Sequence, residues 1–212
     1  MKCVSYVSNW VDRVEIKIPD NIPEKSKNEL LKLLNGNRNF VNSTPTAKNM
    51  CLETLRKFAF HQEPYAVVLS CSDSRVVPEI IFDCGIGELF VVRVAGIAVG
   101  HNVTESIEYA VKKLKVPLLL LLGHDDCGVM KYAREHYPVV TEDFESIMKA
   151  VYPVLDKKED ITCHNFFAQQ HTIWVEETLL TKSKIVKEAV EKGDLYIAKC
   201  HFDHSTGLVD LI

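Results

Sequence analysis

The chain lacks any long apolar run. Its longest, Val116–Gly123, falls far short of the ~20 residues that a membrane-crossing helix requires. It also lacks a charge excess: 25 Lys and Arg stand against 29 Asp and Glu, a net of −4, which excludes a strongly basic nucleic-acid binder. Glycine and proline are sparse, nine and eight of 212 residues, and 47% of the chain is hydrophobic. Disordered, collagen-like and low-complexity classes are thereby excluded. No Cys-x-x-Cys pair occurs, so the usual thiol-redox motif is missing. The opening residues, Met1-Lys2-Cys3-Val4 leading to Asn9 and Trp10, hold neither the apolar stretch nor the small-residue cleavage site of a signal peptide. A cytoplasmic protein without membrane or nucleic-acid partners is the expectation.

Seven cysteines are present: Cys3, Cys51, Cys71, Cys84, Cys127, Cys163 and Cys200. Odd in number and scattered, they do not read as a secreted disulfide scaffold. In a reducing compartment such residues are buried small hydrophobes, metal ligands or catalytic thiols.

The length suits one domain. Residues 1–22 read as an extension, with Val14, Ile16 and Ile18 alternating, and residues 23–212 as a single catalytic domain that includes helical arms over 23–60. Pro23 opens a helix whose apolar face is Leu30, Leu31, Leu33 and Leu34, and Gly36 is expected to end it. A second amphipathic stretch runs from about Ala47 to Phe60. The centre changes character. Apolar runs at Ala66–Leu69, Leu89–Val92 and Pro117–Leu122 read as buried strands, and Val103, Ile107 and Val111 mark one stripe of a helix. Residues from Phe166 to Val190 read as helix, interrupted near Thr181–Ser183. Leu195–Ala198 and Leu208–Leu211 read as a closing strand pair joined through Ser205-Thr206-Gly207. The fold class is α/β: a central, mostly parallel sheet flanked by helices, with N-terminal helical arms and a C-terminal strand pair.

Ligand sites of such sheets form beyond the C-terminal ends of the strands. Two ends here carry chemistry: Cys71-Ser72-Asp73-Ser74-Arg75 and Gly123-His124-Asp125-Asp126-Cys127-Gly128. If the two strands are neighbours, Cys71, His124 and Cys127 converge despite their separation in sequence. Two thiolates and an imidazole suit zinc, and three protein ligands leave a fourth position open, as catalytic sites do. Asp73 and Arg75 at the same edge require partners, because neither side chain is easily buried alone.

These paired motifs resemble the beta-class carbonic anhydrases, and the resemblance covers about residues 30 to 211. Leu34-Asn35-Gly36-Asn37 with Phe40 is similar to that family's N-terminal helix. Gly87–Arg93, Ser106–Val111, Gly193-Asp194-Leu195 and Ser205–Val209 are similar to its central and closing segments. The resemblance implies a zinc enzyme with one ion per chain that interconverts carbon dioxide and bicarbonate, built as a homodimer or dimer of dimers with N-terminal helices wrapped on the partner. By position Cys71, His124 and Cys127 match the zinc ligands, and Asp73 and Arg75 the catalytic pair. Gln62, nine residues before the first ligand, matches a pocket residue of the plant-type subgroup, as do Phe90 and Tyr109. A second subgroup carries Trp where Val68 stands, as part of an inhibitory bicarbonate site, so the plant-like, uninhibited type is implied. The Asn that often follows the Arg-x-Ala-Gly segment is replaced by Ile97.

Zinc with two thiolates has no net formal charge, so its water should be less acidic than at a three-imidazole site. Attack on carbon dioxide would come from zinc-bound hydroxide oriented by Asp73, which Arg75 clamps bidentately and keeps off the metal. Rival readings are a carbon disulfide or carbonyl sulfide hydrolase on the same scaffold, a non-catalytic zinc- or bicarbonate-binding dimer, and a thiol redox module. Outside this constellation the readings are plain. His61, His201 and His204 are taken as surface or turn residues, and His164 and His171 as a solvated or interface stripe. Cys3, Cys51, Cys84, Cys163 and Cys200 are taken as packing thiols. Gly85-Ile86-Gly87 leads into a strand rather than a helix, so it cradles no phosphate. Lys112-Lys113 and Lys157-Lys158 are solvated faces, and Trp10 and Trp174 are anchors.

Overall fold

The computed structural model describes residues 16, 18–46, 48–140, 142–157 and 161–212. The expectations for Cys3, Trp10, Val14, Ala47 and Lys158 lie outside them. Five strands form one sheet: β1 (Ala66–Ser70), β2 (Leu89–Arg93), β3 (Leu118–His124), β4 (Tyr196–Phe202) and β5 (Val209–Leu211), in the order β2-β1-β3-β4-β5. The first four run parallel, and β5 returns antiparallel to β4. Every residue of β1 and β3 is buried, as expected of central parallel strands covered on both faces. That environment makes a strand of the five consecutive leucines in β3, although leucine itself favours helix.

Alternation along the strands sorts the side chains into two layers. Val68, Leu118, Leu120 and Leu122 face α1 (Glu24–Val41), whose Leu30, Leu33 and Leu34 are buried against them. On the other face Val67, Leu69, Leu119 and Leu121 meet α4 (His101–Tyr109), α7 (His164–Lys182) and α8 (Lys184–Glu191) through Ile107, Val175, Leu179 and Val186. The break between α7 and α8 falls at Ser183, whose hydroxyl caps α8 by accepting from the Val186 N–H at 3.0 Å. A third cluster joins α5 (Gly128–His136) and α6 (Glu145–Lys157) to Cys71 and Cys127. Two short helices, α2 (Leu52–Lys57) and α3 (Pro78–Ile81), complete the α-helices among the described residues, with a 3-10 turn at Ala95–Ile97 and a π-helical turn, Ala110–Leu114, that continues α4.

Two expectations need correction. Helix α1 is a layer of the core rather than an arm, and it runs through Gly36 to Val41. A Cβ at Gly36 would lie 1.9 Å from the Phe82 carbonyl oxygen, so glycine there permits close approach and does not stop the helix. The stretch expected from 47 to 60 keeps only the helix Leu52–Lys57, with Met50, Leu52 and Leu55 exposed.

Candidate metal centre

From β1 the chain crosses to β2 on one side, and afterwards to β3 on the other. The C-terminal ends of β1 and β3 therefore flank the point where the winding direction changes, the place where such sheets form crevices. Ser70 pairs in register with Leu122, so Cys71 and His124 leave the sheet side by side. Cys127 lies at the N-terminus of α5. The ligand atoms of Cys71, His124 and Cys127 all lie within 4.8 Å of one another, and the three residues are 4%, 1% and 3% exposed.

His124 Nδ1 is 2.8 Å from the Asp125 carbonyl oxygen, which assigns the ring proton to Nδ1 and leaves the Nε2 lone pair free. Nε2 is buried without a hydrogen-bond partner, a costly arrangement unless an electron-pair acceptor occupies the site. The sulfurs are prepared unequally. A hydrogen bond from Cys127 pulls the Cys71 pKa down, helped by His124 and by the N–H groups of Gly96 (3.3 Å) and Asp73 (3.4 Å). The same sharing, with burial, pushes Cys127 up. Burial works to lower the His124 pKa, but contact with Cys71 prevails and raises it. Two sulfurs and one imidazole nitrogen so close together fit a tetrahedral zinc ion, which would displace the shared thiol proton. The adjoining small cavity is walled by Gly96, Ile97, Gly123, Met130 and Ala168 beside the three ligands, a nearly apolar lining.

At the rim the Arg75 backbone N–H and Nε–H both donate to Asp73 Oδ1 (2.9 and 3.0 Å), and Nη2 donates to Oδ2 at 2.8 Å. These bonds hold the Asp73 carboxyl well below the usual carboxylate range. Arg93, at the end of β2, donates from Nη2 to the Asp73 carbonyl (2.7 Å) and from Nε to the Cys71 carbonyl (3.2 Å), bracing the turn that carries both residues.

Within one chain Gln62, Phe90 and Tyr109 stand apart from that cavity. Gln62 is exposed, Tyr109 is 50% exposed, and the Phe90 and Tyr109 rings pair at 6.3 Å between centroids. The plain readings of several other residues are corrected. His204 is no surface residue: its ring lies 5.1 Å from that of His124, and its Nδ1 is 3.0 Å from Asp125 Oδ1. His201 is buried and pairs in register with Gly123. Strand β4 continues four residues beyond Ala198, and that extension, had the periodicity been followed, carries His201 to the metal edge of the sheet. His171 is fully buried in α7, and burial pushes its pKa down to about 4. Cys51 and Cys163 are exposed rather than packed, whereas Cys84 and Cys200 are buried. Ile97 takes a left-handed φ of 47°, a conformation that Asn tolerates far better than a β-branched residue. Lys112 and Lys113 are exposed as expected, and Trp174 anchors α7 beneath the Lys157 ammonium.

A zinc-type Cys-His-Cys cluster at the switch point of a parallel sheet, with a clamped carboxylate beside it, defines a metalloenzyme class. The family model described as carbonic anhydrase matches residues 66–209. A carbonic anhydrase of Mycolicibacterium smegmatis is 35% identical over 84% of this chain and 89% of its own. Carbonic anhydrase 2 of Mycobacterium tuberculosis is 35% identical over 78% and 82%. Among solved structures, the Coccomyxa beta-carbonic anhydrase in complex with acetazolamide superposes with a TM-score of 0.69 at 26% identity, covering 86% of each chain. A beta-carbonic anhydrase from Sordaria macrospora, described as tetrameric, shares the fold with a TM-score of 0.68 at 23% identity, covering 87% of this chain and 97% of its own. The chain belongs to the beta-class carbonic anhydrases. Among the described residues no helix is long and apolar enough to cross a membrane.

Proposed function

We propose that the chain catalyses the reversible hydration of carbon dioxide to bicarbonate and a proton, with one zinc ion held by Cys71, His124 and Cys127. The observation that carries this reading is the buried convergence of two sulfurs and an unpartnered imidazole Nε2 within 4.8 Å. Zinc so held would supply Lewis acidity that makes water a far better nucleophile than it is in bulk. The residues do the rest. Asp73 accepts a hydrogen bond from the attacking water and orients its lone pair. Arg75 keeps the carboxylate ionised and holds both of its oxygens against the guanidinium. Ile97, Met130 and Ala168 offer an apolar wall suited to a small uncharged substrate. A cytoplasmic, reducing setting suits two thiolate ligands.

The working unit is a homodimer or a dimer of such dimers. Strand β2 lies at the sheet edge, and its apolar residues Leu89–Val92 are only partly buried in one chain, as they would be if a second copy covered that edge. Phe90 and Tyr109, whose rings pair within one chain, would with the exposed Gln62 then line the approach to the metal. Stopped-flow hydration with metal analysis, on the wild type and on Cys127→Ser, tests the reading. It requires about one zinc per chain and rapid hydration in the wild type, both lost in the variant. Stoichiometric zinc without hydration would replace it with a non-catalytic zinc protein, and turnover of carbonyl sulfide alone with the hydrolase.

A further inference from the structure

Asp73 uses only part of the Arg75 guanidinium. Nε and one hydrogen of Nη2 serve its carboxylate, which leaves Nη1 and the second Nη2 hydrogen. Both turn to Asp126: Nη2 donates to its carbonyl oxygen at 3.3 Å, and Nη1 reaches Oδ2 at 3.5 Å. Asp126 is itself fixed. Its N–H donates to Asn165 Oδ1 at 2.8 Å, and its backbone takes a left-handed φ of 53°, which aspartate accommodates better than most residues. Its Oδ1 binds the Lys131 ammonium and lies 3.8 Å from His164 Nε2. Lys131 neutralises Asp126, which lets the second carboxylate steady Arg75 without drawing it from Asp73. Two carboxylates from different strand ends thus hold one guanidinium between them.

We propose that Asp126 is a positioning residue for Arg75: it fixes the plane of the guanidinium and, through it, the orientation of the Asp73 carboxylate, without touching substrate. This rests on the hydration reading above. The pair is half-exposed, with Asp126 46% and Arg75 48% accessible, so its worth to folding is small and its effect lies in geometry.

Asp126→Gly removes the side chain while suiting the positive φ, and Asp126→Asn keeps an acceptor for Nη1. In the zinc-loaded protein Asp126→Gly should lower kcat about tenfold, the scale of one lost charge-assisted hydrogen bond, with KM changed less than about twofold. Asp126→Asn should recover most of that loss. Melting temperature and zinc content should be unchanged in both. A second measurement needs no turnover: exchange of the Arg75 Nε–H with water, its signal assigned by its absence from Arg75→Lys, should quicken about tenfold in Asp126→Gly and less in Asp126→Asn. Wild-type kcat and exchange in Asp126→Gly would overturn the proposal, as would a kcat loss that merely follows lost zinc or a lowered melting temperature. Should the wild type fail to hydrate carbon dioxide, the function reading falls, while the exchange measurement still decides whether Asp126 fixes Arg75.

Discussion

Arg75 meets Asp73 edge to edge, with Nε 3.0 Å from Oδ1 and Nη2 2.8 Å from Oδ2, although the two residues are separated by Ser74 alone. A planar fork can satisfy both oxygens at once, and an ammonium cannot. Arg75→Lys should therefore keep its zinc and lose about 10- to 100-fold in kcat, the scale of one charge-assisted hydrogen bond of about 1.5–3 kcal/mol. Steady-state hydration kinetics with metal analysis check this. Unaltered turnover would show that the fork geometry is dispensable.

Metal removal should destabilise the fold as well as silence it. Cys71 and Cys127 belong to the cluster that packs α5, α6 and α7 together, and a bound ion stabilises only the folded state. A chelator should lower the melting temperature of the wild type but leave Cys127→Ser, already without metal, unmoved. Equal shifts in both proteins would place the chelator's effect elsewhere.

Burial of His171 predicts an acid-side loss of stability. Its imidazole is driven from the ordinary 6.5 down to about 4 in the fold. Between those values the unfolded chain binds a proton that the folded chain refuses, so stability rises with pH across this window. The contribution is intact above about pH 6.5, declines as the pH falls, and levels off below about 4, amounting to about 3 kcal/mol. Burial lowers His201 and His204 too, so the informative quantity is a difference between proteins. Denaturant melts from pH 7 to 4 should fall more steeply for the wild type than for His171→Leu. Parallel slopes would mean that the buried ring is not titrating.

Two glycines in helices should respond very unequally to alanine. A Cβ at Gly36 meets the Phe82 backbone oxygen at 1.9 Å, whereas one at Gly128 meets nothing within 4 Å. Gly36→Ala should cost about 3 kcal/mol or more, because backbone cannot yield as a side chain can. Gly128→Ala, at the first position of α5, should stay within about 1 kcal/mol of the wild type. Equilibrium denaturation decides, and similar midpoints for the two would refute the close packing of α1 on Phe82.

The metal ligands were legible because strand periodicity is local and parallel neighbours bring their C-terminal ends to one edge. Cys71 and His124 could be placed together from two apolar runs alone. The contacts that complete the site are not local. Arg93 reaches the Cys71–Asp73 turn from β2, Asp126 meets Arg75 across the crevice, and His204 arrives from β4. Nothing in the spacing of these residues encodes the loop paths between them. The role of Gly36 is hidden for a related reason: the sequence shows that a Cβ is missing but not that the Phe82 carbonyl occupies its space. His171 lies on the same helical stripe as Phe167, Ala168, Val175 and Leu179, so its burial was legible in the period, whereas only the packed structure shows that the Gly96–Ile97 turn closes over it.

X-ray absorption at the zinc edge of the protein as purified tests the central assignment most directly. The account predicts one zinc per chain with two sulfur scatterers at about 2.3 Å and a single imidazole nitrogen at about 2.0–2.1 Å, completed by one light atom. A shell of nitrogen and oxygen alone, or active protein that carries no metal, would contradict it.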